Sequence, residues 1–284
     1  MLVLDLYNKK AAFLPREMTM NATAVAQKAP GFIKNPTKFL EVDPSPRRVR
    51  VKFAGETIVD TTSALLMCEG GHVPIYYFPM VDVRMDLFST TDHDSHCGYK
   101  GHASYWTLII GDRSEENVMW SYRDPYEEML GIRDHMAFYW NRMDSWWEED
   151  EEIFKHARDP KHRVDAMLSR RPVTVVVGGE TLAATKNARF VFETNHPVRY
   201  YIPRDDVRMD LMSGSDTISQ CPYKGIASYF STESYTDIAW SYENPIDECP
   251  SIRDLICFFN ENVDAIFVDS AEVDKPVTKW SKKS

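Results

Sequence analysis

The chain has 284 residues, a formal net charge of -10 and a hydrophobic content of 43%. This length and composition are typical of a folded protein with about two domains, and they exclude a disordered or collagen-like chain. The negative net charge opposes binding to nucleic-acid phosphates, so we expect no nucleic-acid partner.

Cysteine usage and hydropathy narrow the class further. The five cysteines are odd in number and none forms a Cys-x-x-Cys pair, which argues against a disulfide framework and against a structural zinc site. Residues 1–10 lack the pattern of a signal peptide, and no run approaches the roughly 20 apolar residues that cross a bilayer. We therefore predict a cytoplasmic protein without a membrane partner.

The chain divides into an arm, two copies of one repeat, a linker and a tail. Residues 1–46 contain five prolines and little regular apolar spacing, and we predict an irregular arm. Residues 47–150 and 170–270 form the repeats, here named copy 1 and copy 2. Residues 151–169 carry mixed charge and are predicted to be a linker, and residues 271–284 are predicted to be a basic tail.

The repeat is clearest in one ten-residue stretch. Residues 97–106 read Cys-Gly-Tyr-Lys-Gly-His-Ala-Ser-Tyr-Trp. Residues 221–230 read Cys-Pro-Tyr-Lys-Gly-Ile-Ala-Ser-Tyr-Phe, and 221 − 97 = 124. Self-similarity over this length indicates a duplicated domain.

Each copy has the pattern of several strands followed by a helix. Alternating apolar residues predict a hairpin at 49–59 and 173–183, and β-rich runs predict strands at 75–79 and 199–203. Residues 82–87 and 206–211 alternate with period two and are also predicted to be strands. Apolar residues spaced by three and four predict a closing helix, through Ile132, Met136, Tyr139 and Met143 in copy 1 and through Ile252, Ile256, Phe259 and Val263 in copy 2.

Four motifs occur in the same order in both copies, and with them the chain resembles the family known as domain of unknown function 427. They are Tyr-Tyr-x-Pro, Asp-Val-Arg-Met-Asp-Leu, Ser/Thr-Asp-x-x-x-x-Cys-x-Tyr-Lys-Gly-x-Ala-Ser-Tyr and Ala/Met-Trp-Ser-Tyr. The resemblance implies a mainly β (α+β) protein made of two tandem, compact antiparallel β domains of the β-tent type, each with a C-terminal helix.

The same resemblance raises two activities that the residues do not support. Other members of the β-tent group hold zinc with cysteine pairs, whereas each copy here has a single motif cysteine. The family also carries a nucleotidyltransferase label, which we discount because no Gly-Ser is followed by paired catalytic carboxylates.

The Cys-x-Tyr-Lys-Gly turn offers candidate catalytic groups. Cys97 lies three residues before Lys100, and a nearby ammonium can stabilise a nucleophilic thiolate. The alternative is that Cys97 is a buried packing residue. Tyr99 and Lys100, together with Ser104, are candidates for stabilising developing negative charge.

Histidines distinguish the two copies and favour copy 1 as the catalytic one. Copy 1 has His93, His96 and His102 where copy 2 has Thr217, Gln220 and Ile226. Imidazole suits proton transfer near neutral pH, so we assign His96 as the general acid or base and Asp92 as the residue that orients it. The alternative is an exposed loop histidine. The run His93-x-x-His96-Cys97 contains metal-ligand types, but its spacing is not a recognised site and copy 2 lacks it, so we expect no metal.

Substrate contacts are assigned to one ion pair and a group of aromatic residues. Arg84 and Asp86 can bind an anionic or carbonyl-bearing ligand, or can form a structural salt bridge. Aromatic residues near the turn can line an apolar cleft, although core packing is the alternative. They are Tyr105, Trp106, Trp120 and Tyr122.

These residues predict a small-molecule enzyme that works without a cofactor. The expected reaction is acid-base isomerisation, cyclisation or hydrolysis of a carbonyl-containing substrate, in a pocket of copy 1. The alternative is a non-catalytic module that binds a ligand or a protein. A nucleotide-handling enzyme is third, because no phosphate-binding Gly-rich loop is present.

Overall fold

The structure, a computed structural model, describes residues 27–281. It contains a short helix, α1 (Pro30–Lys34), ahead of the strands of copy 1. The strands of copy 1 are β1 (Leu40–Pro44), β2 (Val49–Phe53), β3 (Glu56–Thr61), β4 (Leu65–Glu69), β5 (Ile75–Pro79), β6 (Phe88–Cys97), β7 (Gly101–Ile110), β8 (Arg113–Ser121), β9 (His135–Phe138), β10 (Ser145–Glu148) and β11 (Glu151–Ile153). Those of copy 2 are β12 (Val164–Leu168), β13 (Val173–Val177), β14 (Glu180–Thr185), β15 (Arg189–Glu193), β16 (Arg199–Ile202), β17 (Ser213–Cys221), β18 (Gly225–Ser231), β19 (Ala239–Ser241), β20 (Ile256–Phe258), β21 (Ala265–Val268) and β22 (Ala271–Glu272).

Each copy contains a seven-stranded and a four-stranded sheet. In copy 1 the orders are β1-β4-β5-β9-β8-β7-β6 and β11-β10-β2-β3. In copy 2 they are β12-β15-β16-β20-β19-β18-β17 and β14-β13-β21-β22, which is the same topology strand for strand. Neighbouring strands pair antiparallel, as in β4 with β5 and β15 with β16. The prediction of two tandem antiparallel β domains is therefore confirmed.

The seven-stranded sheet is covered on both faces. Successive side chains of a strand point to opposite faces, so in β5 Tyr76 and Phe78 enter the core between the two sheets, while Tyr77 enters a second cluster on the other face. The second cluster of copy 1 also contains Met129 and Ile132 from the 3₁₀ turn Glu127–Ile132. This second face carries much of the repeated motif.

The predicted closing helices are wrong. In copy 1 the stretch forms the 3₁₀ turn Glu127–Ile132, strand β9 and a further 3₁₀ turn, Trp140–Arg142. Met136 and Phe138 of β9 pack in the core between the sheets and Ala137 packs on the opposite face. A central strand that is buried on both faces does not alternate apolar and polar residues, so its sequence does not show the strand pattern. The apparent helical spacing arose because apolar residues of a turn, a strand and a second turn were counted together. Copy 2 has a 3₁₀ turn at Pro250–Ile252 and strand β20 in the same place.

The strands predicted at 82–87 and 206–211 are also wrong. Each stretch lies across two 3₁₀ turns, Met80–Asp82 and Met85–Leu87 in copy 1 and Arg204–Asp206 and Met209–Leu211 in copy 2. Val83 and Val207 each form one isolated antiparallel bridge, to Val59 and Ala183. A single bridge attaches the stretch to the neighbouring strand at one residue, and 3₁₀ turns on both sides of that residue prevent a strand from forming.

The repeat extends further upstream than its predicted starts at 47 and 170. Strand β1 lies in the predicted arm and β12 in the predicted linker, and both join the edge of a seven-stranded sheet. Asp159 and Pro160 of the linker correspond to Asn35 and Pro36 of the arm at the offset of the repeat, since 159 − 35 = 124. The predicted linker is therefore divided: residues 151–153 form β11 of copy 1, and the later residues, through β12, are the first segment of copy 2. Residues 1–26 of the predicted arm and 282–284 of the tail lie outside the described residues.

This first segment of copy 2 also joins the copies. Arg158 is bonded to Glu248 of copy 2 at 2.7 Å and to the buried carboxylate of Glu148 in copy 1 at 3.4 Å. The backbone N–H of Asp159 donates to the hydroxyl of Tyr223 at 2.8 Å. Among residues 27–281, no helix has both the length and the apolar character needed to cross a membrane.

Candidate functional site

In copy 1 the Cys-x-Tyr-Lys-Gly turn is held by packing and by an ion pair. The Nζ of Lys100 is buried and lies 2.6 Å from Oε2 of Glu69. The ring of Tyr99 packs edge-on against Phe32, with centroids 5.0 Å apart. Cys97 is half-buried and packs against the second cluster, as its packing alternative predicts.

His96 and Asp92 lie on the exposed strand β6, and the structure does not join them. Nε2 of His96 lies 2.9 Å from the hydroxyl of Tyr126, and its ring is 4.6 Å from that of His102 across the hairpin. Asp92 is exposed, and its carboxylate has no hydrogen-bond or ion-pair partner among residues 27–281. The residue that orients His96 is therefore a phenol, which the sequence analysis did not select.

The predicted substrate-binding residues do not share one cleft. Arg84 and Asp86 are exposed and form a bidentate pair with each other, at 2.8 and 2.7 Å. Trp106 lies in the core between the sheets, whereas the other three aromatic residues belong to the cluster on the opposite face, with Ser104 half-buried beside them in β7. These three are Tyr105, Trp120 and Tyr122.

A cavity of about 670 Å³ lies in copy 2, on the face that corresponds to this second cluster. Copy 1 contributes only the turn 72–74 to its wall, so the cavity is at the junction of the copies. Its lining includes the copy 2 counterparts of predicted site residues: Cys221, Tyr223 and Lys224 of the turn, and Tyr229, Trp240 and Tyr242 of the aromatic group. The motif selected from the sequence thus marks a cavity, but in the copy that lacks the three histidines.

A chain of polar contacts lines the cavity. The ammonium of Lys224 is bonded to Oε2 of Glu193, and Oε1 of Glu193 lies 3.1 Å from Nε2 of His162. Burial raises the pKa of Glu193, but Lys224, together with the two neighbouring imidazoles, lowers it, and the net effect holds that pKa below its usual value. Glu193 is therefore a carboxylate at neutral pH.

The imidazoles beside Glu193 are held in defined orientations. Nδ1 of His196 lies 2.8 Å from the backbone oxygen of Thr194. Since a carbonyl only accepts, Nδ1 carries the proton and Nε2 of the neutral ring keeps its lone pair. The ring of His162 stacks on Tyr223 with centroids 3.9 Å apart.

The same three side chains could hold a metal ion. His162, Glu193 and His196 each offer one ligand atom, and these atoms lie within 4.8 Å of one another. Two imidazoles and one carboxylate are a common ligand set for zinc.

Aromatic rings and the C-terminal tail also line the cavity. Arg199 makes a bidentate pair with Glu261, with both distances 2.7 Å. Its guanidinium lies 5.5 Å from the ring centre of Trp240 and 5.7 Å from that of Trp280. Thr278 donates to Glu261 at 2.6 Å, which fixes the tail that carries Trp280 against the cavity.

The sequence analysis missed His162, Glu193 and His196. His162 lies in the stretch predicted to be a linker, and its counterpart in copy 1, 124 residues earlier, is Lys38. Extending the alignment through Asn35-Pro36 and Asp159-Pro160 would have placed it in the repeat. Glu193 would then have stood out, because Glu69 precedes it by the same offset.

The fold and the cavity define a tandem-repeat β protein with a ligand-sized site where its copies meet. One family matches residues 41–149 and again residues 165–269. The chain belongs to this family, described as a domain of unknown function (DUF427), and contains its domain twice. Among curated proteins, no match to the chain was found.

Proposed function

We propose that the protein is an enzyme that acts on a carbonyl-containing small molecule by acid-base chemistry, and that the cavity of copy 2 holds the substrate. The observation that carries this proposal is the convergence of Lys224, Glu193 and two imidazoles in one cavity that aromatic rings also line. A cavity of about 670 Å³ is within the range that encloses a small organic ligand.

The wall supplies the groups that proton transfer requires. An imidazole can take a proton from a carbon next to a carbonyl and return it elsewhere, and Glu193 and Thr194 hold the two rings in place. Burial raises the pKa of Tyr223 to about 12, so its phenol is neutral and can donate to an oxygen that becomes negative in the transition state. The reaction class is therefore isomerisation, cyclisation or hydrolysis, as expected from the sequence, with the site moved to copy 2.

The proposal is tested by screening the full chain for turnover of small carbonyl compounds, with His196→Ala as the variant. His196 lies on a partly exposed turn, so we expect the melting temperature to stay nearly unchanged. Loss of a proton-transfer site should lower turnover by about 10²-fold or more. His102→Ala is the matched control, because His102 is exposed in copy 1 and does not line the cavity.

Two results would contradict the enzyme proposal. One is turnover that His196→Ala and Lys224→Met leave at the wild-type rate. The other is calorimetric binding of a compound in the cavity, lost in Trp240→Ala, without any turnover. The second result would instead establish the non-catalytic ligand-binding module.

A further inference from the structure

We propose that His162, Glu193 and His196 bind a divalent transition-metal ion, with zinc as the best chemical match, on the wall of the copy 2 cavity. Binding itself is independent of the proposed function. The catalytic use of the ion rests on that function, and it replaces the cofactor-independent reaction expected from the sequence.

The distances suit a shared ion. In a tetrahedral zinc site with bonds of about 2.0–2.2 Å, neighbouring ligand atoms are about 3.3 Å apart. Nε2 of His162 and Oε1 of Glu193 are already 3.1 Å apart. All three ligand atoms lie within 4.8 Å of one another, so small side-chain rotations bring the third into range.

The surroundings orient these ligands as in known metal sites. A metal-ligating histidine commonly donates its second ring nitrogen to a carbonyl or carboxylate. His196 does this through Nδ1 to the oxygen of Thr194, which leaves Nε2 for the ion. Lys224 holds the other oxygen of Glu193 and so fixes the carboxylate.

Copy 1 shows what the ion would replace. There the carboxylate of Glu69 has two ammonium partners: Lys38 lies 3.1 Å from Oε1 and Lys100 lies 2.6 Å from Oε2. In copy 2, Lys224 keeps the place of Lys100, but His162 stands where copy 1 has Lys38. A metal ion at Oε1 restores the second positive charge, and copy 1 shows that one carboxylate here accommodates two cations.

The ion would face the substrate. Three protein ligands leave one tetrahedral position open, and the same three residues line the cavity. A carbonyl oxygen or a water bound there loses electron density to the ion, which favours proton transfer at neighbouring atoms. The two imidazoles would then act as ligands, and a water at the open position, made more acidic by the ion, would carry the proton in their place: its hydroxide form takes a proton from the substrate, and the resulting water returns it.

The first test uses cobalt as the probe. The full chain is stripped with a chelator and titrated with Co²⁺, and the visible absorption of a tetrahedral complex is recorded. We expect one equivalent per chain, with affinity at least tenfold weaker in His162→Ala and in His196→Ala and unchanged in His102→Ala. Absence of the absorption, or its persistence in both cavity variants, would overturn the proposal.

A second variant keeps the test decisive if removal of a histidine disturbs copy 2. Lys38→His gives copy 1 the same ligand types beside Glu69 and His72. If the residue at this position decides metal binding, the stoichiometry should rise from one equivalent to two. An unchanged stoichiometry would contradict the inference that the metal replaces the ammonium of Lys38.

The metal site and the proposed function can fail separately. Stoichiometric Co²⁺ or Zn²⁺ binding with no turnover of any carbonyl compound would support the site and overturn the enzyme. Turnover that is equal in chelator-stripped and zinc-loaded protein would support the enzyme and overturn the catalytic use of the ion, while the Co²⁺ titration alone decides whether the ion binds.

Discussion

Copy 1 and copy 2 share a scaffold but differ around one carboxylate. Both bury an ion pair under the Cys-x-Tyr-Lys-Gly turn, Lys100 with Glu69 and Lys224 with Glu193. They differ at the next partner, which is an ammonium in copy 1 and an imidazole in copy 2. We interpret the lysine–glutamate pair, which both copies contain, as a part of the fold. The imidazole of His162, which stands in copy 2 in place of Lys38, is the better guide to function.

The largest expected effect is the loss of stability on removal of Lys224, the lysine of the buried ion pair in copy 2. In metal-free buffer, Lys224→Met leaves Glu193 without an ammonium partner, and breaking such a buried pair costs about 3–5 kcal/mol of unfolding free energy. Lys100→Met should cost less, because Lys38 remains 3.1 Å from Glu69. Denaturant unfolding of both variants measures the difference, and equal losses would show that Lys38 does not compensate.

A smaller effect is expected on acidification. Burial raises the pKa of Glu69 and of Glu193, but their lysine partners outweigh it, and both values lie below the usual 4.5. A carboxylate with a lowered pKa contributes stability that is fully present above its unfolded value and is lost as the pH falls through its folded value. We therefore expect the denaturation midpoint to fall as the pH drops below about 4.5, measured by urea titration across this range.

The matched variants for this prediction are Glu69→Gln and Glu193→Gln. Each removes one titrating group, so each should flatten the acid dependence of the unfolding of its own copy. An acid dependence as steep as that of the wild type in both variants would assign the loss to other carboxylates.

The smallest effect concerns the exposed Arg–Asp pairs. Arg84 pairs with Asp86, and Arg208 pairs with Asp210 in the same geometry. Exposed ion pairs contribute little to stability, so Arg84→Ala and Arg208→Ala should leave the melting temperature unchanged within error, as measured by differential scanning calorimetry. A large shift in only one copy would break the equivalence of the two scaffolds at this turn.

The repeat, the β class and the motif face could be predicted from sequence because they rest on local patterns. Tyr76, Tyr77 and Phe78 identify a strand buried on both sides without any tertiary information. The closing helix could not be excluded in the same way. Ile132 and Met136 obey a helical spacing only because a 3₁₀ turn and a central strand follow one another.

The candidate site depended on contacts that sequence separation hides. Glu193 follows His162 by 31 positions and precedes Lys224 by 31 positions, since 193 − 162 = 31 and 224 − 193 = 31. His162 and Glu193 meet because Val164 of β12 pairs with Glu193 of β15, and Lys224 joins them from the turn between β17 and β18. No local sequence pattern predicts the register of this strand pair. Because residues 151–169 were predicted to be a linker, His162 was not considered as a candidate site residue.

The segment around Arg158 has a consequence for any attempt to divide the protein. This segment connects the two copies covalently and also contacts both of them, because Arg158 bridges Glu148 and Glu248. It also forms part of the cavity lining, through His162. A separately expressed copy 2 must therefore begin upstream of Lys155 to keep these residues, and a protease cut between Arg158 and His162 would separate the residue that bridges the copies from the residue that lines the cavity. Each copy has its own core, but the lining of the cavity depends on the segment that joins the copies.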